Sequence, residues 1–284
     1  SAASDVYKRQ ESGRNALKEK RVITSYLAGK NNGAVILSED EGTSVLLNGE
    51  DHVRIQVLCN GMDIQSCFKK ANEIDDYIDA HFDYAFDEKY GYKTTFPTNT
   101  GTGMKAGYTL HLPSLSDARR LNDISAELGR FGLKFRTVYG DGQNGYGNLY
   151  QISTQKTLGQ DEREVIKDLD DIVLQIVNQE KEQREHFYKK DKIQMDDEIY
   201  KSYGVLKYAR KLSLKDSMVL ISELMTGVSL GVLQFAHNGR YNINELIMDI
   251  QPAVLRQNSG KAMSVAETDV LRAEYIRKYL PEII

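Results

Sequence analysis

Apolar and polar positions change rhythm once along the chain. Up to about residue 157 the apolar runs are short and separated by turns; from about residue 161 they recur at helical spacing almost to the end. In the first part, residues 34–38 and 43–47 are apolar runs on either side of the acidic turn 38–42, which predicts a hairpin or two neighbouring strands. Residues 50–58 alternate, with Val53, Ile55 and Val57 on one face and Glu50, His52, Arg54 and Gln56 on the other. Ala71, Ile74, Tyr77 and Ile78 have helical spacing. Residues 105–112 alternate again, and Leu121, Ile124, Leu128 and Phe131 mark a helix stopped near Gly129 or Gly132. Residues 133–139 and 148–153 predict two more strands joined by a glycine-rich loop. Val165, Leu169, Ile172, Val173, Ile176 and Val177 then form one stripe on a long helix. A charged run at 180–192 reads as a solvated helix or linker, and further helices are expected at about 194–211, 214–226, 242–250 and 264–279, punctuated by Pro252 and Pro281.

The strand and helix order in the first part is no regular βαβ alternation. It predicts an α+β fold with a mainly antiparallel sheet flanked by helices, followed by an all-helical domain. The expected boundaries are a domain at 11–183 and a helical one at 189–284. Residues 1–10 share no periodicity with the rest of the chain and read as a non-native leader.

Composition narrows the choices. A chain of 284 residues with 40% hydrophobic and 27% charged positions suits one large or two ordinary globular domains. A net charge of −4 excludes a global basic field, so no nucleic-acid partner is expected and any phosphate site must be a local cluster of Arg and Lys. No apolar run approaches the roughly 18 residues of a membrane span, and no signal-peptide pattern is present. Cys59 and Cys67 read as small core residues of a protein in a reducing compartment. His81, His186 and His237 lack metal-ligand spacing, and no protein metal ligand is expected.

Three stretches could carry chemistry. In 48–54, Glu50, His52 and Arg54 would share a polar strand face, able to meet a cation and a phosphate or simply to face water. In 96–105, two glycines and small hydroxyl residues precede Lys105; the spacing is neither a Walker loop nor a dinucleotide fingerprint, and a plain turn is the competing reading. In 136–142, Arg136 ends a strand and Asp141 sits in the loop beyond it, where Asp-Gly is also a common turn pair.

Taken in order, the three resemble the motifs of phosphagen (ATP:guanido) kinases. Residues 48–56 are similar to their NEEDHxRI strand, 96–105 to CPTNxGTGxR, and 136–141 to RGxxGE/D. The flanks ILSEDE, HFDYAFDEKYGY and GNLYQISTQKTLG resemble the bacterial branch that phosphorylates arginine in proteins, and the likeness runs from about residue 21 to the C-terminus. Gly49, Phe96 and Lys105 replace the family's Glu, Cys and Arg, and the family's early nucleotide strand is not found.

That resemblance implies ATP-dependent transfer of the γ-phosphoryl group to arginine side chains of proteins. It assigns Glu50 as base and Asp141 as a second carboxylate on the guanidinium. The ATP-binding positions it implies are Arg21, Arg54, Lys105, Ala106, Gly107, Tyr108, Thr109, Arg136, Thr137, Val138, Tyr139 and Gly140, with Mg2+ held through the nucleotide phosphates. In the C-terminal region Asp269 and Arg272 match part of an R-D-x-x-R-A motif that binds phosphoarginine; an ordinary amphipathic helix is the alternative. The resemblance further implies a cytoplasmic homodimer in stress response, an activator protein, and a Clp-type protease that degrades the marked proteins. A phosphagen kinase acting on free arginine, and a non-catalytic phosphoarginine- or nucleotide-binding module, are the rival readings.

Overall fold

The computed structural model describes residues 11–140, 145–236 and 242–284. Helices α1 (Glu11–Glu19) and α2 (Ser25–Ala28) open the chain. Thr24 caps α2 by accepting the Leu27 N–H at 3.1 Å. Strands β1 (Ala34–Leu37), β2 (Thr43–Leu47) and β3 (Val53–Val57) form an antiparallel sheet in that order, with Leu46 opposite Arg54. Helix α3 (Ile64–Asp79) comes next, capped by Asp63, which accepts the Ser66 N–H at 3.2 Å. A short hairpin, β4 (Phe86–Asp87) and β5 (Gly91–Tyr92), precedes a 3-10 turn at Pro97–Asn99. The remaining mixed elements are β6 (Gly107–His111), α4 (Pro113–Asp117), α5 (Leu121–Arg130), β7 (Leu133–Thr137) and β8 (Leu149–Thr154).

The second sheet of three strands has the order β6-β8-β7. Its bonds pair Leu112 with Asn148 and Ala106 with Thr154, and Val138 with Leu149 and Gly132 with Gln155, so both ladders are antiparallel. Helices then run to the end: α6 (Glu162–Lys190), α7 (Lys192–Tyr208), α8 (Leu214–Ser229), α9 (Ile243–Asp249), α10 (Pro252–Ser259) and α11 (Val265–Tyr279). The expected α+β class with antiparallel sheets and a helical C-terminal part is what the chain adopts.

Two compact units divide the chain. The first comprises the chain to Tyr108 with Ser125–Phe135 and Ile152–Leu174; the second comprises Thr109–Ile124, Arg136–Gln151 and Gln175–Ile284. Within the first, Leu17, Val22, Ile23, Leu27, Val35 and Leu46 form a core under β1 and β2. The second has a larger core, including Ile199, Leu206, Ile221, Leu224, Leu246, Ile250 and Ile276.

Four expectations need correction. Glu50 lies in the turn before β3 rather than on its polar face, because Asn48 turns the chain at φ 56° and donates its N–H to His52 O. The charged run at 180–192 is no linker: α6 continues through Lys190, and Glu180 and Arg184 are 2% and 7% exposed. Pro252 does not merely end a helix; it occupies the first turn of α10, where its missing N–H costs nothing. Cys59 and Cys67 are not core thiols. Cys59 is exposed and Cys67 half-buried, and they are joined in a disulfide with Cα atoms 6.1 Å apart. The turn after β3 brings its end to the first turn of α3, a proximity that eight residues of sequence separation did not reveal.

His111 is half-buried in the second unit. Its Nε2 lies 2.8 Å from Ser222 Oγ, which also accepts from Asn148 Nδ2 at 3.1 Å. Burial, aided by the Arg184 charge, pushes the imidazole pKa down from 6.5 to about 3. The folded protein therefore holds the neutral ring, while the unfolded chain gains a proton below pH 6.5. This contribution to stability is whole above pH 6.5 and is lost as the pH falls toward 3. Between pH 7 and pH 5 the loss is expected to be about 2 kcal/mol, from roughly 1.4 kcal/mol per pH unit. Urea unfolding at the two pH values measures it, and His111→Gln should flatten the difference; an unchanged pH dependence in that variant would refute the assignment.

Candidate active site

The first unit brings several of the sequence-assigned residues together. Glu50 sits in the β2–β3 turn and Arg54 on β3, and Arg54 Nη1 lies 3.5 Å from Glu50 Oε2. Both side chains keep more than a third of their surface exposed, so the pair is loose and holds little energy. Asp51, next to Glu50, anchors the 96–105 loop. It accepts from the N–H groups of Thr95 (2.8 Å) and Phe96 (3.4 Å) and from Asn99 Nδ2 (2.6 Å). Asn99 Oδ1 in turn accepts from Lys105 Nζ at 2.5 Å. A line of hydrogen bonds thus runs from the residue beside Glu50 to Lys105. Sequence reading did not single out Asp51 or Asn99, because their signal is a contact across 48 residues.

Glycine has a steric reason at Gly101. Its φ is 113°, and a Cβ there would fall 2.2 Å from Thr157 O. Thr157 Oγ1 donates to Thr98 O (3.2 Å) and Thr100 O (2.7 Å), so the loop is pinned from this side too. The segment after it enters the sheet. Ala106 exchanges bonds with Thr154, Gly107 has room for no Cβ against Ile152 O, and Thr109 is exposed. Tyr108 points inward at 8% exposure and donates to Asp170 at 2.6 Å; burial first, then Asp170, raises its pKa to about 12. Arg21, at φ 61° beyond α1, accepts Gln56 Nε2 on its carbonyl at 2.6 Å, which ties it to β3.

The second unit holds the third motif. Arg136 is exposed at the end of β7 and forks onto Gln151 Oε1 through Nε, at 2.8 Å, and Nη2. Thr137 is half-buried, Val138 bonds Leu149 in the ladder, and Gly140 has φ 84°. Tyr139 stacks on Tyr146 and packs against the helical core with Val138. Asp141 lies outside the described residues.

Arg136 and Lys105 share one property: each is held by a neutral amide rather than a carboxylate. An amide orients a cation without cancelling its charge, which is the arrangement a phosphate-binding group needs. Among the described residues no group of three or more His, Cys, Asp or Glu could hold a metal ion, and no helix is long and apolar enough to cross a membrane.

Asp269 and Arg272 are brought together on α11. Arg272 is 1% exposed; its Nη1 donates to Asp269 Oδ1 (2.6 Å) and Leu212 O (2.9 Å), and its Nε to Ile250 O (3.0 Å). In this geometry the guanidinium ties α11 to the ends of α9 and the α7–α8 loop.

Two solved structures share the architecture. The duplicated taurocyamine kinase of Schistosoma mansoni, with transition-state-analogue components bound, aligns at a TM-score of 0.54 and 24% identity over 62% of this chain and 26% of that one. Lombricine kinase aligns at 0.52 and 20% identity over 62% of this chain and 52% of that one. The fold is therefore that of the guanidino kinases. The sequence model of the ATP:guanido phosphotransferase C-terminal catalytic domain matches residues 3–183, and the chain belongs to that family of phosphotransferases. The C-terminal domain of the protein-arginine kinase McsB matches residues 192–283. Proteins named protein-arginine kinase in Bacillus pumilus and Bacillus subtilis are each 40% identical, over 95% and 94% of this chain and 74% and 73% of their own lengths.

Proposed function

We propose that this chain transfers the γ-phosphoryl group of ATP to arginine side chains of proteins. The observation that carries the reading is the likeness to protein-arginine kinases through both regions, including the helical one at 192–283. The geometry agrees with it. Glu50 already faces a guanidinium, that of Arg54, and could receive the substrate's in its place. Arginine is a poor nucleophile because its charge is delocalised and its pKa exceeds about 12. As the N–P bond forms and the bond from Pγ to the β-phosphate oxygen breaks, Glu50 takes the proton leaving the attacking nitrogen, and ADP departs. By the resemblance, Arg54 and Lys105 in the first unit and Arg136 in the second are assigned to the phosphates, and Asp141 to the guanidinium. Mg2+ bound with the nucleotide would screen the phosphate oxygens; Arg21 and the backbone of 106–109 and 137–140 complete the assigned nucleotide contacts.

The same reading carries its dependent expectations: a helical domain that pairs two copies, an activator, a Clp-type protease acting on the marked proteins, and a cytoplasmic setting. Phosphoarginine recognition by Asp269 and Arg272 would require the guanidinium to exchange two backbone carbonyls for the ligand.

Label transfer from MgATP tests the function. The expected result is acid-labile label on an arginine-bearing unfolded protein and little on free arginine. Transfer to free arginine alone would make the chain a phosphagen kinase; nucleotide binding without transfer to either would overturn the enzyme assignment.

A further inference from the structure

We propose that the acidic, aromatic-studded segment at residues 73–90 is the surface on which a substrate protein lays the basic stretch around its target arginine. The proposal rests on the protein-kinase reading and adds to it the chemistry of the partner.

The charge of this segment is out of proportion to the chain. Residues 73–90 carry seven carboxylates and one lysine, a local charge of −6 in a protein whose net charge is −4. Two of the seven are used internally. Asp75 accepts from the hydroxyls of Tyr84 (2.9 Å) and Tyr92 (3.2 Å), and Asp87 accepts from the Lys89 and Tyr90 N–H groups and pairs with Lys93 at 3.7 Å. Glu73, Asp76, Asp79, Asp83 and Glu88 are exposed and enter no ion pair among the described residues.

Large aromatic rings stand among these carboxylates. Tyr77, Phe82 and Phe86 are 68%, 70% and 54% exposed. Their exposure leaves them outside the core: Tyr77 tilts against the His81 ring at 4.5 Å and Phe86 meets Tyr92 edge-on at 5.3 Å. Aromatic faces beside carboxylates suit arginine and lysine side chains, which stack on the ring while their charge is met. The patch carries one internal example: Lys89 Nζ sits 5.1 Å over the Tyr90 ring.

The segment also leads to the site. Beyond β5 the chain reaches Thr95 and Phe96, whose N–H groups are held by Asp51, the neighbour of Glu50. Residues 73–90 and the assigned base thus belong to the same compact unit, joined through the loop that Asp51 holds. An acidic segment would be repelled.

The experiment uses the whole chain and fluorescein-labelled peptides of about 15 residues with one central arginine, flanked by lysines or by glutamates. Anisotropy titrations are run at about 50 and 200 mM salt. The lysine-flanked peptide is expected to bind at least about tenfold more tightly, with a preference that shrinks as salt rises. Asp79→Asn, Asp83→Asn and Glu88→Gln combined should remove most of that preference, and Phe82→Ala with Phe86→Ala should weaken the lysine peptide about fivefold. ATP affinity should not change in either variant, and thermal melts confirm folding. Equal binding of the two peptides, or a preference that survives the charge variant, would overturn the proposal. So would a change in sedimentation without a change in peptide binding, which would assign the patch to a second copy of the chain. Charge-selective binding with no transfer to any guanidinium would overturn the kinase reading and the substrate role with it; transfer without charge selectivity would overturn the docking surface alone.

Discussion

Glu50→Gln is expected to lower phosphoryl transfer by about 10²–10⁴-fold while leaving the fold and ATP affinity in place. Glutamine keeps the shape and one acceptor oxygen but cannot take the proton that must leave the guanidinium as the N–P bond forms. The effect should fall on kcat, because the interaction is made in the transition state rather than with ATP. Structural side effects should be small: the side chain is partly exposed, and its contact with Arg54 is long at 3.5 Å. Acid-labile label from MgATP, measured under single-turnover conditions, gives the rate. A variant retaining more than about a tenth of the activity would remove Glu50 as the base, since general base catalysis contributes at least that much.

Glu180→Ala is expected to cost about 3–5 kcal/mol of stability, a large fraction of the roughly 5–15 kcal/mol that holds a domain folded. Glu180 accepts four hydrogen bonds out of contact with water: from Arg184 Nε (3.2 Å) and Nη2 (2.8 Å), and from the backbone N–H groups of Ser114 (3.1 Å) and Leu115 (2.9 Å). Removing it leaves a buried guanidinium without a counter-charge and two buried donors without an acceptor. Replacing both partners, Glu180→Met with Arg184→Leu, should recover part of the loss by removing the stranded charge, though Ser114 and Leu115 stay unpaired. Urea midpoints of the three proteins test this. A cost under about 1 kcal/mol for the single variant would mean that water reaches the pair.

Much of the fold was legible because periodicity is local. The apolar run at 43–47 and the stripe from Val165 to Val177 are set by residues close together in the chain, and β2 and α6 lie where those patterns place them. The candidate site was legible differently. No single motif distinguished a turn from a ligand loop, and only their order and flanking text pointed to the guanidino kinases.

The misreadings share a cause. Glu50 read as a strand residue because alternation continued through it, while the turn at Asn48 is set by the register of β2 on β3. Glu180 and Arg184 read as solvated because charge usually is; only their placement against the N–H groups of α4 buries them, each satisfying the other. The cysteines looked like isolated core residues until the chain reversed between β3 and α3.

The sequence alone therefore determined the element types, the α+β class and the family, because propensity, period and motif order are properties of neighbouring residues. Tertiary structure decided which charges are buried, which cysteines meet, and that Asp51 and Asn99 carry the link from Glu50 to Lys105. Those are contacts between residues far apart in the chain, and their energies depend on desolvation and geometry that no local pattern encodes.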